Sequence, residues 1–569
     1  MLIRSRSMTV QEALVLAMQK HRAGDAVQAE QIFRQVLSQQ PTNLDALHWL
    51  GLLSAEQGRS EEAISLLQRV VSLAPNAGDC WNNLGVLLLK HSKSEEAAAA
   101  LSRAAALKPG VPGIFECLGT ALQRLRRPSE AIAAYRKALL LRAALPLHER
   151  RPPEKPELRI CDILLTLAHH DPTNDAKSLY TDHALWNQVY GSPLTALAAA
   201  HINDPDPDRR IRIGYVSTYL NSKPVGRFLS GLFANHDHQH FEICCYSDTR
   251  QPDAMTTRLR AFSDLWRDTS SLSDEQLAQL IRDDRVDILI DLGMHSLDHR
   301  LMVFARKPAP IQVTYLAYCS TTGLQAIDYR LSDSVFDPDD SQQPFYSERT
   351  LRLGSYWCYP PPEDAPDATD VPPSDSIVFG CLNDFMKFNK TSAKLWSGVL
   401  KAVPNSRLLL HAPAADDRAF VQSEFLANGI DPARIEFLGF VSPGEYFRTY
   451  RRIDIALDPT PWCGGTTTCD ALWMGVPVVS LVGRSTLSRG GLSILSRIGL
   501  VDLVAYDASQ YVAIAAALAH DPVRRQSLRL DLRRRMLQSP IMNAPAFARD
   551  FERVLRTAWT RWCEKSKRQ

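Results

Sequence analysis

The sequence is poor in the features that mark a specialised class. Its 569 residues contain no uninterrupted apolar run of the ~18 residues that a membrane-spanning helix needs, so no span is expected. Neither sign of charge dominates: 65 Lys plus Arg face 63 Asp plus Glu, a net +2. Nothing global therefore asks for a nucleic acid or another polyanion as partner. The Arg-rich stretch from Arg524 to Arg535 reads as a solvated helix face before it reads as an anion site. The eleven cysteines include no CxxC spacing, and Cys244 and Cys245 are merely adjacent, which excludes a regular zinc or disulfide framework. Buried thiols in a reducing cytoplasm are the simpler reading. Beyond Arg4 and Arg6, the first apolar stretch is broken by Gln11 and Glu12, so it reads as an amphipathic helix and not as a secretory signal.

What is present begins with a repeat. Pro41, Pro75 and Pro109 lie 34 residues apart, as do Gly51, Gly85 and Gly119, and Leu50, Leu84 and Leu118. Ala29, Ala63, Ala97 and Ala131 keep the same interval. Four position classes on one period predict stacked helix pairs. Small residues let two helices approach closely, and proline stops the second helix because it has no N–H to donate. About three full repeats and a degenerate first one fill residues 1–145. Such stacks expose a concave groove that binds peptides or proteins, unless the arm only stiffens or dimerises the chain.

Residues 146–208 form a linker, proline-rich at Pro152, Pro153 and Pro156 and at Pro205 and Pro207, with a helical stretch from Leu158 to Val189 between. Short β-type runs then alternate with helical ones. Arg212–Ser217, Phe241–Tyr246, Val286–Leu292 and Ile311–Leu316 belong to a first lobe, 209–370. Ile377–Cys381, Ser406–His411, Ile435–Leu438, Ile453–Leu457 and Val476–Ser480 belong to a second, 371–569. The predicted fold is α plus α/β: a helical-repeat solenoid followed by two Rossmann-like, doubly wound lobes with a cleft at the carboxyl ends of both sheets.

The most informative segment is Leu457-Asp-Pro-Thr-Pro-Trp-Cys-Gly-Gly-Thr-Thr-Thr-Cys-Asp-Ala-Leu-Trp-Met-Gly-Val-Pro477. A strand ends near Asp458, the pair Gly464 and Gly465 follows, and Thr466 and Thr467 open a helix with Asp470 on its first turn. Free N–H groups flanked by glycines and hydroxyls form an anion site fit for two phosphates, or else an ordinary capped helix. The segment resembles the signature of the O-GlcNAc transferase and SPINDLY family of protein O-glycosyltransferases. The resemblance covers nearly the whole chain, down to Ser539-Pro-Ile-Met-Asn543 and Trp562. Arg306-Lys-Pro-Ala-Pro-Ile-Gln312, Cys319-Ser-Thr-Thr-Gly323 and Cys381-Leu-Asn-Asp-Phe-Met-Lys387 resemble further family motifs in the right order.

That resemblance implies a GT-B enzyme and a set of site residues. Lys387 would stabilise the leaving diphosphate. Thr466 and Thr467, with Gly464 and Gly465, would hold the phosphates, Asp470 the ribose, and Tyr446 would stack on the base. Gln312 closes a motif known only by resemblance. His295, in Asp291-Leu-Gly-Met-His-Ser296, is either a site residue or a satisfied loop histidine. The family's aspartate and histidine after the first strand are missing: Ser217-Thr-Tyr-Leu-Asn-Ser-Lys-Pro-Val-Gly226 carries Tyr219 and Lys223 instead. A protonated lysine cannot act as a base, though it can bind a phosphate or carboxylate. Gly465 stands where animal members carry histidine, and Cys319 and Ser320 replace a Pro-Gly pair.

The implied reaction is inverting, metal-independent transfer of a sugar to Ser or Thr hydroxyls of proteins docked by the repeats. The donor is UDP-GlcNAc, or GDP-fucose as on the SPINDLY side, and no separate cofactor is needed. Asp337-Pro-Asp-Asp340 reads as a turn and not as a metal motif. Two other readings stay open: transfer to a glycan, lipid or small molecule, and a non-catalytic scaffold.

Overall fold

The 34-residue period becomes four helix pairs: Val10–Arg22 with Ala26–Gln39, Leu44–Glu56 with Ser60–Leu73, Gly78–Lys90 with Ser94–Leu107, and Pro112–Arg124 with Pro128–Ala144. The computed structural model describes residues 8–146, 155–363, 365–368 and 376–568. Arg4, Arg6, the Pro152–Pro153 pair and the expected lobe boundary at 370/371 lie outside the described residues.

The periodic residues have one geometric reason. A Cβ at Gly51 would stand 3.2 Å from the Leu67 side chain, at Gly85 2.5 Å from Leu101, and at Gly119 2.5 Å from the Tyr135 ring. Each glycine thus faces the residue sixteen positions on, in the partner helix. In the degenerate first pair the same two places hold Ala17 and Phe33, both fully buried. Ala29, Ala63, Ala97 and Ala131 are fully buried as well. The chain divides into two compact units, one ending at Leu164 and one starting at Leu165. No helix of the described residues is long and apolar enough to cross a membrane.

The second unit contains two parallel sheets. The first has seven strands among the described residues: β1 Ile211–Ser217, β2 Phe241–Ser247, β3 Leu265–Asp268, β4 Ile288–Asp291, β5 Ile311–Thr314, β6 Tyr329–Asp333 and β7 Arg349–Leu353. Their order is β3-β2-β1-β4-β5-β6-β7. The second has β8 Ile377–Cys381, β9 Ser406–His411, β10 Ile435–Leu438, β11 Ile455–Leu457, β12 Val478–Leu481 and β13 Val504–Ala505, in the order β10-β9-β8-β11-β12-β13. β4 and β5 are buried along their whole length, as expected of strands covered on both faces.

The strand order reverses direction between β1 and β4 in one sheet and between β8 and β11 in the other. Ligands of open α/β sheets bind at such switch points, outside the carboxyl ends of the strands. Those four ends lead into the loops of Lys223, His295, Lys387 and Thr466.

Four strands carry no clear sequence signal. β3 and β7 are edges of mixed polarity, and β13 has two residues. β6 includes Arg330, whose buried guanidinium donates to the Asp337 carboxylate at 2.9 Å. Asp337 is further held by Ser332 and Tyr346. The last helix, Ala544–Ser566, returns to the first lobe. Glu552 meets Nδ1 of the buried His236 at 2.9 Å, and Trp559 donates to the carbonyl of Asp206 at 2.9 Å. The sequence reading groups this helix with the second lobe.

The expected Leu158–Val189 helix is broken at Asp171–Asp175 into Lys155–His170 and Ala176–Trp186. Histidines from both pieces pack on the loop ends of the lobes. His169 has its ring 5.2 Å from Tyr318 and 5.5 Å from His183, and His170 stacks on Trp462 at 4.8 Å. Burial, with His295 adding to it, pushes His169 down to about 3. Burial and then Lys387 push His170 to about 3.

Two outcomes follow from these contacts. Gly119→Ala forces a methyl into the Tyr135 ring and should cost about 1–3 kcal/mol, read as a lower urea midpoint for the repeat unit. A histidine held neutral in the fold but free to protonate when unfolded stabilises the protein above its unfolded pKa of ~6.5, and that stability is lost as pH falls towards the folded value. Between pH 7 and 5 each such histidine should remove about 2 kcal/mol. Thermal unfolding of wild type and a His169→Asn, His170→Asn double variant at both pH values checks this: the variant should show the smaller pH dependence.

Candidate functional site

The β11–helix loop is organised around one carboxylate. Asp458, 2% exposed, accepts hydrogen bonds from the Gly464 N–H at 2.7 Å, the Ser480 hydroxyl at 2.7 Å and the Thr468 hydroxyl at 3.3 Å. Burial pushes its carboxyl above the ordinary value, against these donors. Both glycines are required by close approach. A Cβ at Gly464 would lie 2.3 Å from the Thr468 hydroxyl, and one at Gly465 2.7 Å from the Trp357 ring.

Gly465 caps the helix Thr466–Trp473 with no side-chain bond, so the first-turn N–H groups of that helix have no cap from the cap residue. Asp470 is the fifth residue of the helix and not on its first turn, as the sequence reading has it. The loop after β8 faces this helix end. Lys387 donates to the Cys463 carbonyl at 2.9 Å and to the Asn383 side-chain oxygen at 3.3 Å, and the Thr467 hydroxyl donates to the same oxygen at 2.8 Å. Burial lowers the Lys387 pKa, and nearby negative groups, Asp458 among them, offset part of this.

Lys387, Gly464, Gly465 and Thr466 line one pocket of 210 Å³ together with Trp357 and Trp462. The Lys387 Nζ lies 5.7 Å from the centre of the Trp462 ring. Pro224 and Val225 of the first lobe line the same pocket, so it lies between the lobes.

A second interlobe cavity of 820 Å³ includes Tyr446, Arg227, His411, Phe440 and Val441 in its wall. Asp470 lies beside it, 1% exposed and fully engaged. It accepts from Arg227 at 2.8 and 3.3 Å, from the Tyr359 hydroxyl at 2.5 Å and from the Tyr446 hydroxyl at 3.0 Å. Tyr446 therefore engages in this structure the same carboxylate that is expected to hold a ribose. The bond uses the hydroxyl and leaves the ring in the wall of the larger cavity.

The remaining expected residues are placed differently. Lys223 is exposed at the start of the helix Pro224–Phe233, with its Nζ 4.9 Å from the Tyr219 ring centre. It sits next to the pocket wall but not in it. His295 is 1% exposed, bonds to the Thr322 carbonyl at 2.7 Å and packs edge-on against Trp186. Gln312 is fully buried and donates to the carbonyls of Phe304 and Ala326 at 2.9 and 2.8 Å. Neither His295 nor Gln312 lines the Lys387 pocket. Thr321 and Thr322 of the Cys319–Gly323 loop donate to the buried Glu348, so that loop is anchored from within its own lobe.

Asn383, Asp458, Trp357, Trp462, Arg227 and Tyr359 are site residues that sequence reasoning did not single out. Asn383, Asp458 and Trp462 stand inside motifs already quoted. Arg227 is one residue past another, and nothing local marks Trp357 or Tyr359.

Comparison with known proteins gives the family. Residues 196–355 and 368–551 match the family model described as glycosyl transferase family 41, and residues 21–84 match a tetratricopeptide repeat model. A probable UDP-N-acetylglucosamine–peptide N-acetylglucosaminyltransferase SPINDLY of Oryza sativa subsp. japonica is 35% identical over 416 residues, 70% of this chain and 44% of the relative. The probable enzyme of the same description named SEC, from Arabidopsis thaliana, is 30% identical over 388 residues, 65% of this chain and 39% of the relative. The chain thus spans less than half the length of these curated relatives. A lysine-to-methionine mutant of the Thermobaculum terrenum O-GlcNAc transferase superposes with a TM-score of 0.72 at 34% identity over 98% of both chains. Repeats followed by two parallel-sheet lobes make a helical-repeat protein with a GT-B fold, and since the family model covers more than half of its length, the chain belongs to glycosyl transferase family 41.

Proposed function

We propose that the chain transfers N-acetylglucosamine from UDP-N-acetylglucosamine to serine or threonine hydroxyls of proteins, in one inverting step without a metal ion. The observation that carries this reading is the uncapped end of the helix Thr466–Trp473 sharing a pocket with the Lys387 ammonium. A departing diphosphate there meets N–H donors, threonine hydroxyls and one cation, all fixed before the reaction. The printed activities of the relatives supply the sugar, the nucleotide and the peptide acceptor.

The division of labour follows the boundaries read from the sequence. Repeats in 1–145 dock the acceptor protein, the lobe 209–370 presents it, and the lobe 371–569 binds the donor. Asp470 takes the ribose hydroxyls, and Tyr446, in the wall of the larger cavity, stacks its ring on the base. Holding both substrates between the lobes supplies the proximity contribution. Eleven free cysteines suit a reducing cytoplasm as the place of action.

Lys223, exposed beside the pocket, supports a second reading, a saccharide or other non-peptide acceptor whose carboxylate or phosphate pairs with it. GDP-fucose is the alternative donor.

Calorimetric titration with UDP, GDP, UDP-N-acetylglucosamine and GDP-fucose separates the donors. Selective binding of the uridine pair is the expected result, and selective binding of the guanosine pair would replace the donor. Lys387→Met should lower kcat by about 10²–10³-fold, the usual loss when one electrostatic stabiliser of a leaving charge is removed. A kcat within threefold of wild type would remove Lys387 from the mechanism. Transfer to saccharides with none to peptides would favour the second reading.

A further inference from the structure

The larger interlobe cavity carries an aromatic side chain that neither the family resemblance nor the packing of the core assigns. Phe440 is 86% exposed, the most exposed of the large hydrophobic side chains among the described residues. It lies in the short connection 439–442 between β10 and the helix Pro443–Thr449, beyond the carboxyl end of its strand. Its one ring contact among the described residues is edge-on with His411, the last residue of β9, at 5.4 Å between centres. Gly439 precedes it, and a Cβ there would meet only the Arg418 guanidinium, at 3.7 Å, so nothing wedges the backbone at this point.

Single exposed hydrophobics need no explanation by themselves. Leu197 and Ile202, at 81% and 77%, line neither interlobe cavity. Phe440 does line the larger one, of 820 Å³, together with Tyr446, His411 and Val441.

The course of a bound nucleotide follows from the helix Thr466–Trp473. Thr466, at its start, borders the Lys387 pocket, and Asp470 lies one turn further on, about 6 Å along the axis. A diphosphate at the helix start with its ribose at Asp470 therefore runs away from Lys387. The Tyr446 hydroxyl donates to Asp470 at 3.0 Å, so a base beyond that ribose enters the cavity that Tyr446 and Phe440 share. Tyr446 is fixed there. Its hydroxyl also meets that of Tyr450 at 2.9 Å, and its ring packs edge-on against Phe447 and Tyr450. Phe440 has only the edge of His411 beside it.

We propose that Phe440 closes over the nucleobase of the donor from the side opposite Tyr446, so that the base is stacked between one fixed ring and one ring recruited from the surface. This rests on the reading of the cavity as the nucleoside end of the donor site.

Two gains accompany the closure. Covering an exposed phenyl ring removes apolar area from water, and laying it on a base brings two flat faces into contact. Every base has such a face, so Phe440 adds affinity for the nucleoside more than a choice between uracil and guanine. The base takes no part in bond breaking. Its stacking is therefore equal in the ground and transition states and belongs to KM, not to kcat.

The test is calorimetric titration of UDP and GDP into wild type, Phe440→Ala, Phe440→Leu and Phe440→Tyr. For whichever nucleotide the wild type binds, alanine and leucine should raise Kd about tenfold, the usual order for losing one base–aromatic stack, and tyrosine should stay within about twofold. In a transfer assay Phe440→Ala should raise the KM of the nucleotide sugar by about the same factor and leave kcat within about twofold. The side chain is at the surface, so the variants should unfold at the wild-type temperature. A leucine variant that binds as wild type does, or a tyrosine variant as weak as the alanine one, would overturn the inference and leave the donor site intact. A raised KM for the acceptor with an unchanged nucleotide Kd would assign Phe440 to acceptor docking and overturn it as well. Absence of UDP and GDP binding by the wild type itself would overturn the donor reading, and this inference with it.

Discussion

The site depends on the burial of Asp458. A carboxylate at a strand end, taken out of water, must collect donors, and the three it finds come from the loop glycine Gly464, from the helix at Thr468 and from the next strand at Ser480. These bonds fix the loop against both the helix and the sheet. They leave no side chain over the helix end, because Gly465 has none to offer and Trp357 lies where a Cβ would be. The helix start at Gly465 and Thr466, which has no side-chain cap, thereby borders a pocket whose wall includes Trp357 and Trp462. The low dielectric that makes Asp458 costly to ionise also strengthens any attraction between that helix start, Lys387 and an incoming anion.

Charge is divided between the two interlobe cavities. Around the smaller one the cation Lys387 is tied to neutral acceptors, the Cys463 carbonyl and the Asn383 amide oxygen, so its charge remains available to a ligand. Beside the larger one Arg227 is already paired with Asp470. A diphosphate would gain a new ionic contact at Lys387. A ribose would exchange hydrogen bonds at Asp470 with the Tyr446 hydroxyl. The first kind of contact gains most from burial, and the second depends more on geometry.

The two lobes share more than the cleft. The C-terminal helix Ala544–Ser566 reaches back to the first lobe through Glu552 and Trp559, and the second lobe meets Tyr346 of the first through Thr486. The buried Arg330–Asp337 pair lies beside the latter contact. The Glu552–His236 and Tyr346–Thr486 links are buried, so removing either partner would leave the other unpaired. The histidines of the helices Lys155–His170 and Ala176–Trp186 form a further layer behind Trp462. Burial keeps His169 and His170 uncharged far below the ordinary imidazole range, so their cost appears in folding stability as the pH falls.

The sequence by itself determined the repeat array, the alternation of strands and helices, and the strand-end motifs at Lys387 and Thr466. Each of these follows from local rules: a 34-residue spacing of small residues, β-branched runs between helical ones, and glycines before threonines at a helix start. It did not reveal β3, β6 or β7, whose polar residues are accommodated by edges or by the buried Arg330–Asp337 pair, nor the two-residue β13. Nor did it show that Tyr446 and Arg227 would meet Asp470, that His295 would be packed away from the Lys387 pocket, or that the last helix would return to the first lobe. Those arrangements pair residues far apart in the chain, 243 positions apart for Arg227 and Asp470. No local period or spacing encodes such a pair. Only the packing of the two lobes around a buried charge selects it.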